Sequence, residues 1–227
     1  MKAMILAAGL GKRLRPLTEH TPKPLLEIRG KPMIVYHIEA LQKAGIFDIV
    51  INTSWLGEKL EAYLGDGSRY GVRLQWSRET TPLETGGGIR FALPLLGDQP
   101  FLLVNGDVWT DYPFAQLVSR QLDNGCLGHL VLVVNPSHNA KGDFCLEGVT
   151  KAGGVVARND GVLPAYTFSG LSLIHPDLLS ALELGQVAPL RDALYPALEC
   201  GRIRGELYRG NWCDVGTLDR LNAANQA

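Results

Sequence analysis

Long apolar runs are missing from this chain, and so are dense basic tracts and paired cysteines. Each absence removes a class of function. No stretch approaches the roughly 20 consecutive apolar residues that a membrane-spanning helix needs, so no membrane partner is expected. The apolar start Met4-Ile5-Leu6-Ala7-Ala8 ends at Gly9 and runs into Lys12, Arg13 and Arg15. A secretory leader would carry a small-residue cleavage site there, so a cytoplasmic protein is expected. Lys and Arg number 22 against 23 Asp and Glu, a net charge of -1. That balance exerts no general pull on polyanions, and nucleic acid is not expected as a partner. The four cysteines, Cys126, Cys145, Cys200 and Cys213, form no CxxC pair, which speaks against a zinc site or a disulfide framework. The five histidines, at positions 20, 37, 129, 138 and 175, are scattered and form no constellation with carboxylates. His37 falls on an apolar helical face and reads as a core residue, while His138 lies in a loop within reach of a ligand.

What is present is an ordinary globular composition, 46% hydrophobic and 20% charged over 227 residues, enough for one large domain with a buried core. Short apolar runs alternate with segments of helical period, the mark of a sheet of parallel strands covered by helices. Strands are expected at 2–7, 48–52, 72–77 and 101–104, and helices at 32–44, 56–64 and 85–96. From about Leu130 the chain turns β-rich and Gly-rich, with segments at 130–134, 153–158 and 166–174. Helices are expected at 190–200 and 217–225, although Pro196 argues against the first. The fold class read from this pattern is α/β, a Rossmann-like, doubly wound mixed sheet flanked by helices with a small β-rich lobe. A single domain over 1–227 is expected, divided into parts at 1–130 and 131–227. No internal repeat or hexapeptide array is present, so no β-helix extension is expected, and a monomer fits that lack.

The strongest local signal is Leu6-Ala-Ala-Gly-Leu-Gly-Lys-Arg-Leu-Arg-Pro-Leu17, followed by Pro22-Lys-Pro-Leu25. A first strand opening into Gly9 and Gly11 sets bare backbone amides at the carboxyl edge of a sheet, where phosphates are received. The dinucleotide fingerprint would place a third Gly where Leu14 stands, and the Walker loop a Ser or Thr where Arg13 stands, so neither applies. This loop is long and cationic instead, and Lys12, Arg13, Arg15 and Lys23 carry enough charge for a triphosphate. An isolated Gly-x-Gly is more often a turn beside a solvated loop. Here Pro22 and Pro24 restrict the backbone around Lys23 and aim its ammonium. Asp107, just past a buried apolar strand, and Asp214, in Trp212-Cys-Asp-Val-Gly-Thr217, are hard donors suited to a divalent cation. Taken singly each Asp is more often a cap or turn residue, so the weight lies on the set.

In their order and spread across the chain, the run from Leu6 to Leu25, Asn105-Gly-Asp107 and Trp212-Cys-Asp-Val-Gly-Thr217 resemble the sugar-phosphate nucleotidyltransferase family. The short chain, Glu84-Thr-Gly-Gly-Gly-Ile89 and Asn105-Gly-Asp-Val-Trp-Thr-Asp111 are most similar to its branch of bacterial cell-wall (peptidoglycan) recycling. The resemblance implies a uridylyltransferase with UTP and a sugar 1-phosphate, N-acetylmuramate 1-phosphate, as substrates and Mg²⁺ as cofactor. It implies that Gly9, Gly11, Lys12 and Arg13 hold the triphosphate, that Lys23 contacts the transferring phosphate, and that Arg13 and Lys23 are the catalytic cations. It sets Asp107 and Asp214 on Mg²⁺. It puts the base near Ala8, Gly9, Glu79, Thr85, Gly86 and Gly87, and the sugar near Asn105, Gly142, Glu147, Ser169 and Gly170. Two departures stand out: Glu84-Thr-Gly-Gly87 replaces the Gly-Thr-Ala-Gly of many relatives, and Asp143-Phe-Cys-Leu-Glu147 only approximates the sugar-contact strand. From the residues alone other bases and other sugars (glucose, N-acetylglucosamine, mannose) stay open, and Lys141, His138 and Arg158 are equal candidates for an acidic sugar substituent. A glycosyltransferase would not need the cationic loop, and a non-catalytic nucleotide sensor would not need both aspartates.

Overall fold

The computed structural model describes residues 1–123, 125–150 and 153–226. The first half runs β1 (Ala3–Leu6), α1 (Leu17–His20), β2 (Glu27–Ile28), β3 (Lys31–Pro32), α2 (Met33–Lys43), β4 (Asp48–Thr53), α3 (Gly57–Leu64), β5 (Arg73–Arg78), α4 (Glu84–Leu96) and β6 (Phe101–Asn105). The second runs β7 (Val108–Thr110), α5 (Ala115–Val118), β8 (Gly128–Val133), β9 (Phe144–Thr150), β10 (Gly153–Arg158), β11 (Ala165–Ile174), α6 (Arg191–Glu199), β12 (Ile203–Tyr208), β13 (Trp212–Asp214) and α7 (Leu218–Gln226).

The main sheet has the order β5-β4-β1-β6-β11-β8-β12-β10-β9. Its first four strands are parallel, and β11 then enters antiparallel to β6. The central strands bury side chains on both faces. Ala3, Ile5, Ile49 and Ile51 pack with α2 and α3 through Ile34, Ile38, Leu41, Leu60 and Leu64. Met4 and Val50 pack on the other face with Ile89, Ala92 and Leu96 of α4. Each Ile, Leu, Val or Met among them taken fully out of water contributes about 1.5–3 kcal/mol, so the edge of this sheet is a rigid platform. The later strands curl: the start of β9 pairs both with β10 and with the first residues of β11. Strands β11, β8, β12, β10 and β9 thereby close into a ring, the physical form of the β-rich lobe. A register shift in β11 between Phe168 and Leu171, with Gly170 at φ +82°, is a bulge that re-aims the strand beside the site.

A third apolar cluster joins distant pieces, with Leu14, Leu26, Ile28 and Met33 packing on Val215, Leu221 and Ala224. It docks α7 against the segment that follows the glycine loop. Pro196 lies inside α6 without ending it, because Ala193, Leu194, Ala197 and Leu198 are buried on one side of it and packing outweighs the lost backbone bond. β12 has no clear apolar signal, since Arg204 and Glu206 interrupt it. Glu206 is nevertheless half-buried: burial alone would raise its pKa, but the His129 ring 3.7 Å away, the hydrogen bond from the Tyr112 hydroxyl and the charge of Arg120 hold it down at about 2. Among the described residues no helix is long and apolar enough to cross a membrane.

Candidate active site

A cavity of about 440 Å³ opens at the carboxyl ends of the parallel strands, lined by Leu6 to Lys12, Lys23, Pro24, Asn52, Glu79, Glu84, Thr85 and Asn105 to Asp107 among others. This is the edge where the strand order reverses about β1, the usual ligand crevice of an open α/β sheet. Its size is in the range of small-molecule sites. Gly9 is open, with nothing within 4 Å of where a Cβ would stand. Gly11 has φ +61°, and a Cβ there would meet Thr18 at 2.8 Å. The Thr18 hydroxyl and the Leu14 amide both donate to the Gly11 carbonyl at 2.8 Å, which fixes the turn.

A buried carboxylate secures the loop from behind. Glu79 accepts from the Asn52 amide at 2.7 Å and from the Leu83 backbone N–H at 2.9 Å, while the Asn52 oxygen accepts from the Ala7 N–H at 2.8 Å. A Cβ on Gly88 would lie 2.6 Å from Glu79 Oε1, so that glycine makes room for the pair. Gly86 and Gly87 have a packing role of the same kind. Side chains there would meet the Ala188 and Gln186 carbonyls at 2.9 and 2.1 Å, and the Gly87 N–H donates to Ala188. Gly106, between Asn105 and Asp107, lets β6 approach β1, since a Cβ would lie 2.6 Å from the Leu6 carbonyl.

A second cavity, about 310 Å³, is lined by Arg13, Asn105, Asp107, Val108, His138, Asn139, Asp143, Thr167, Phe168, Ser169, Trp212 and Asp214. Asn105 and Asp107 line both cavities. The buried Lys23 ammonium pairs with Asp107 at 2.6 Å, so the catalytic-looking cation and carboxylate meet at the junction. Strands β7 and β13 pair antiparallel, and the Val215 N–H donates to the Asp107 carbonyl at 3.0 Å. The two aspartates, 107 residues apart in sequence, therefore share one cavity wall. Asp214 is bonded by Arg220 at 2.7 Å, with His138 3.4 Å away. No group of three or more His, Cys, Asp and Glu side chains is arranged to hold a metal among the described residues. Protein ligation of a hard cation here would come from these two carboxylates, with phosphate oxygens and water completing the shell, and the donor set fits Mg²⁺.

The expected site residues thus fall into groups. Ala8, Gly9, Gly11, Lys12, Lys23, Glu79 and Thr85 line the first cavity. Arg13 and Ser169 line the second, with Asp214 beside them. Ser169 is anchored through its hydroxyl to the Val131 carbonyl at 2.7 Å, and its own carbonyl accepts from the Trp212 indole at 2.8 Å. Gly170 packs against the Asn105 side chain. Gly86, Gly87, Gly142, Glu147 and Gly170 are not among the residues lining either cavity. Of the candidates for an acidic substituent, His138 lines the second cavity. Arg158 instead pairs with Glu199 at 3.4 Å and lies over the Tyr195 ring. Sequence reasoning missed Asn52, Asn139, Thr167 and Arg220. Asn52 carries the same signal as Asp107, a polar residue near the end of a buried strand.

A glycine turn, cationic side chains and paired aspartates at the phosphate-receiving edge of an α/β sheet define a nucleotide-handling protein. The chain belongs to the nucleotidyl transferase family, whose profile matches residues 2–151. It is 48% identical over 227 residues to the N-acetylmuramate alpha-1-phosphate uridylyltransferase of Neisseria meningitidis serogroup B, covering 99% of this chain and 96% of that protein. It is 32% identical over 231 residues to the mannose-1-phosphate guanyltransferase of Hypocrea jecorina, covering 95% of this chain but only 61% of that longer protein. A crystal structure of a Bacillus anthracis protein superposes with a TM-score of 0.85 over 100% of this chain and 94% of that one. At 21% identity that likeness speaks for the fold.

Proposed function

We propose that this protein transfers the uridylyl group of UTP to N-acetylmuramate 1-phosphate, forming UDP-N-acetylmuramate and pyrophosphate with Mg²⁺ as cofactor. The reading is carried by the junction of two cavities at Lys23 and Asp107, in a chain 48% identical over nearly its whole length to a relative bearing that activity in its name. The lining of the first cavity stops at Asp107, and much of the polar lining of the second comes from His138 onward. This supports a nucleotide-binding part over 1–130 and a sugar-binding part over 131–227.

The roles follow from charge. Phosphate monoesters have a second pKa of about 6, so the sugar 1-phosphate arrives largely as a dianion and needs no general base. Its oxygen forms a bond to the α-phosphorus of UTP, while the bond from that phosphorus to the bridging oxygen breaks and its electron pair leaves with pyrophosphate. Two anions must approach in line, so catalysis consists of neutralisation and alignment. The amides of Gly9 and Gly11, with Lys12, receive the triphosphate. Lys23 stabilises charge on the transferring phosphate, and Arg13 is assigned to phosphates where the cavities meet. Asp107 and Asp214 would hold Mg²⁺, which supplies Lewis-acid neutralisation of phosphate oxygens. Ala8, Glu79 and Thr85 border the base, and Asn105, Ser169 and Gly170 the sugar, with Gly142 and Glu147 on the β9 side.

The test is a matrix of four nucleoside triphosphates against N-acetylmuramate, N-acetylglucosamine, glucose and mannose 1-phosphates, scored by pyrophosphate release with and without Mg²⁺. UTP with N-acetylmuramate 1-phosphate is expected to lead, and only with the metal. A lead for GTP with mannose 1-phosphate would overturn the substrate assignment, and binding without turnover across the matrix would overturn catalysis itself.

A further inference from the structure

Asp214 is held from one side. Arg220 Nη1 donates to its Oδ2 at 2.7 Å, and His138 Nε2 lies 3.4 Å from the same oxygen. The guanidinium is itself fixed, because its Nε donates to the Thr217 hydroxyl at 3.3 Å and the Arg220 backbone N–H approaches that hydroxyl at 3.4 Å. Its path crosses Gly216, where a Cβ would lie 2.2 Å from Arg220, 3.0 Å from Asp214 Oδ1 and 3.1 Å from Arg13. The base of the arm is equally firm, since Leu221 and Ala224 on α7 are docked in the apolar cluster with Leu14 and Val215.

We infer that Arg220 is a positioning residue of the metal centre, holding Asp214 Oδ2 so that Oδ1 is presented to the shared cavity. The inference rests on Asp214 being a ligand of Mg²⁺. Its sign is informative. By charge alone a guanidinium beside a ligand repels a cation, so deleting it would tighten metal binding. By position, the same deletion frees the carboxylate and weakens binding, on the order of 10- to 100-fold for a lost partner of a ligand.

The experiment follows Mn²⁺ binding to the free enzyme by electron paramagnetic resonance, alongside the Mg²⁺ concentration that half-saturates pyrophosphate release. Arg220→Met should raise the Mn²⁺ dissociation constant and the half-saturating Mg²⁺ concentration by about 10- to 100-fold, with kcat largely recovered at high Mg²⁺, and Arg220→Lys should restore part of the loss. Unchanged or tighter Mn²⁺ binding in Arg220→Met, with kcat lost at every Mg²⁺ concentration, would overturn the inference and make Arg220 a direct phosphate contact. Failure of the underlying reading looks different: Asp214→Asn would then leave Mn²⁺ affinity intact. If circular dichroism shows Arg220→Met to be unfolded, Thr217→Val removes the acceptor of Nε and leaves the guanidinium. It should shift Mn²⁺ binding in the same direction by a smaller factor, and no shift would count against the inference.

Discussion

The first cavity takes its lining from the ends of parallel strands and the turns that leave them, all within the first 107 residues. The second takes its lining from the loop at 137–139, the bulge of β11, the β7–β13 ribbon and Arg13. One is shaped largely by backbone, with amides and carbonyls whose places are set by the buried central strands and secured by the Asn52–Glu79 pair. The other is shaped by side chains that bond one another: Asn135 with Thr167, Asn139 with Asp143 and Thr167, and Asp143 with the Phe168 N–H. A backbone-built wall suits what all nucleoside triphosphates share, and a side-chain-built wall can be retuned one residue at a time. Asp107 stands where they join. Asp107→Asn keeps an acceptor for Lys23, avoiding the penalty of leaving a buried ammonium unpaired, but removes the charge. It should lower kcat by about 10³-fold, roughly 4 kcal/mol, in a folded protein. Near-normal pyrophosphate release would remove Asp107 from the chemistry and dissolve the junction.

His37 supports that junction from beneath. Its Nε2 donates to the Val108 carbonyl at 2.8 Å, and burial pushes its pKa down from 6.5 to about 4. The fold therefore favours neutral imidazole. The associated stability is fully present above pH 6.5 and is lost as pH falls toward 4, up to about 3 kcal/mol. Urea unfolding between pH 8 and 4 should show this slope, and His37→Gln should flatten it. An unchanged slope in the variant would mean that other groups carry the acid sensitivity.

Glycines in the two flagged motifs separate the ligand edge from mere packing. A side chain on Gly87 would strike the Gln186 carbonyl at 2.1 Å, whereas one on Gly9 would enter open cavity. Gly87→Ala should cost about 2 kcal/mol of stability through overpacking. Gly9→Ala should leave the melting temperature in place and raise KM for UTP. A loss of stability in Gly9→Ala with unchanged KM would reverse the roles.

These residues also show what was legible beforehand. Gly9, Gly11 and Asp107 follow apolar strands, and since strands of a parallel sheet end on one edge, periodicity alone brings them together. Glu79, expected beside the base, follows β5 by the same rule; its partner Asn52, near the end of β4, obeys it too but lies in no flagged motif. Gly86 and Gly87 lie in the right motif, but their reason is the segment at 186–189, a hundred residues on, which no local pattern reveals. Arg220 reads as a solvated helix residue until β13 and α7 are folded back onto the glycine loop. Asn139, Asp143 and Thr167 meet only because β9 closes onto β11, and ring closure leaves no periodic trace.

That last group offers the finest test of the comparison. Asn139 donates to Asp143 at 3.0 Å and to Thr167 at 3.1 Å, so it ties the loop carrying His138 to the strand carrying Ser169. Asn139→Ala removes both bonds at a partly exposed site, where each contributes about 0.5–1.5 kcal/mol. The loop should loosen while the parallel-strand edge, which shares none of these groups, stays as it was. KM for the sugar 1-phosphate should then rise about tenfold and KM for UTP stay unchanged, measured by varying each substrate at saturation of the other. Equal changes in both constants would mean that the two walls move as one body, and that the division between a backbone-built and a side-chain-built cavity has no energetic content.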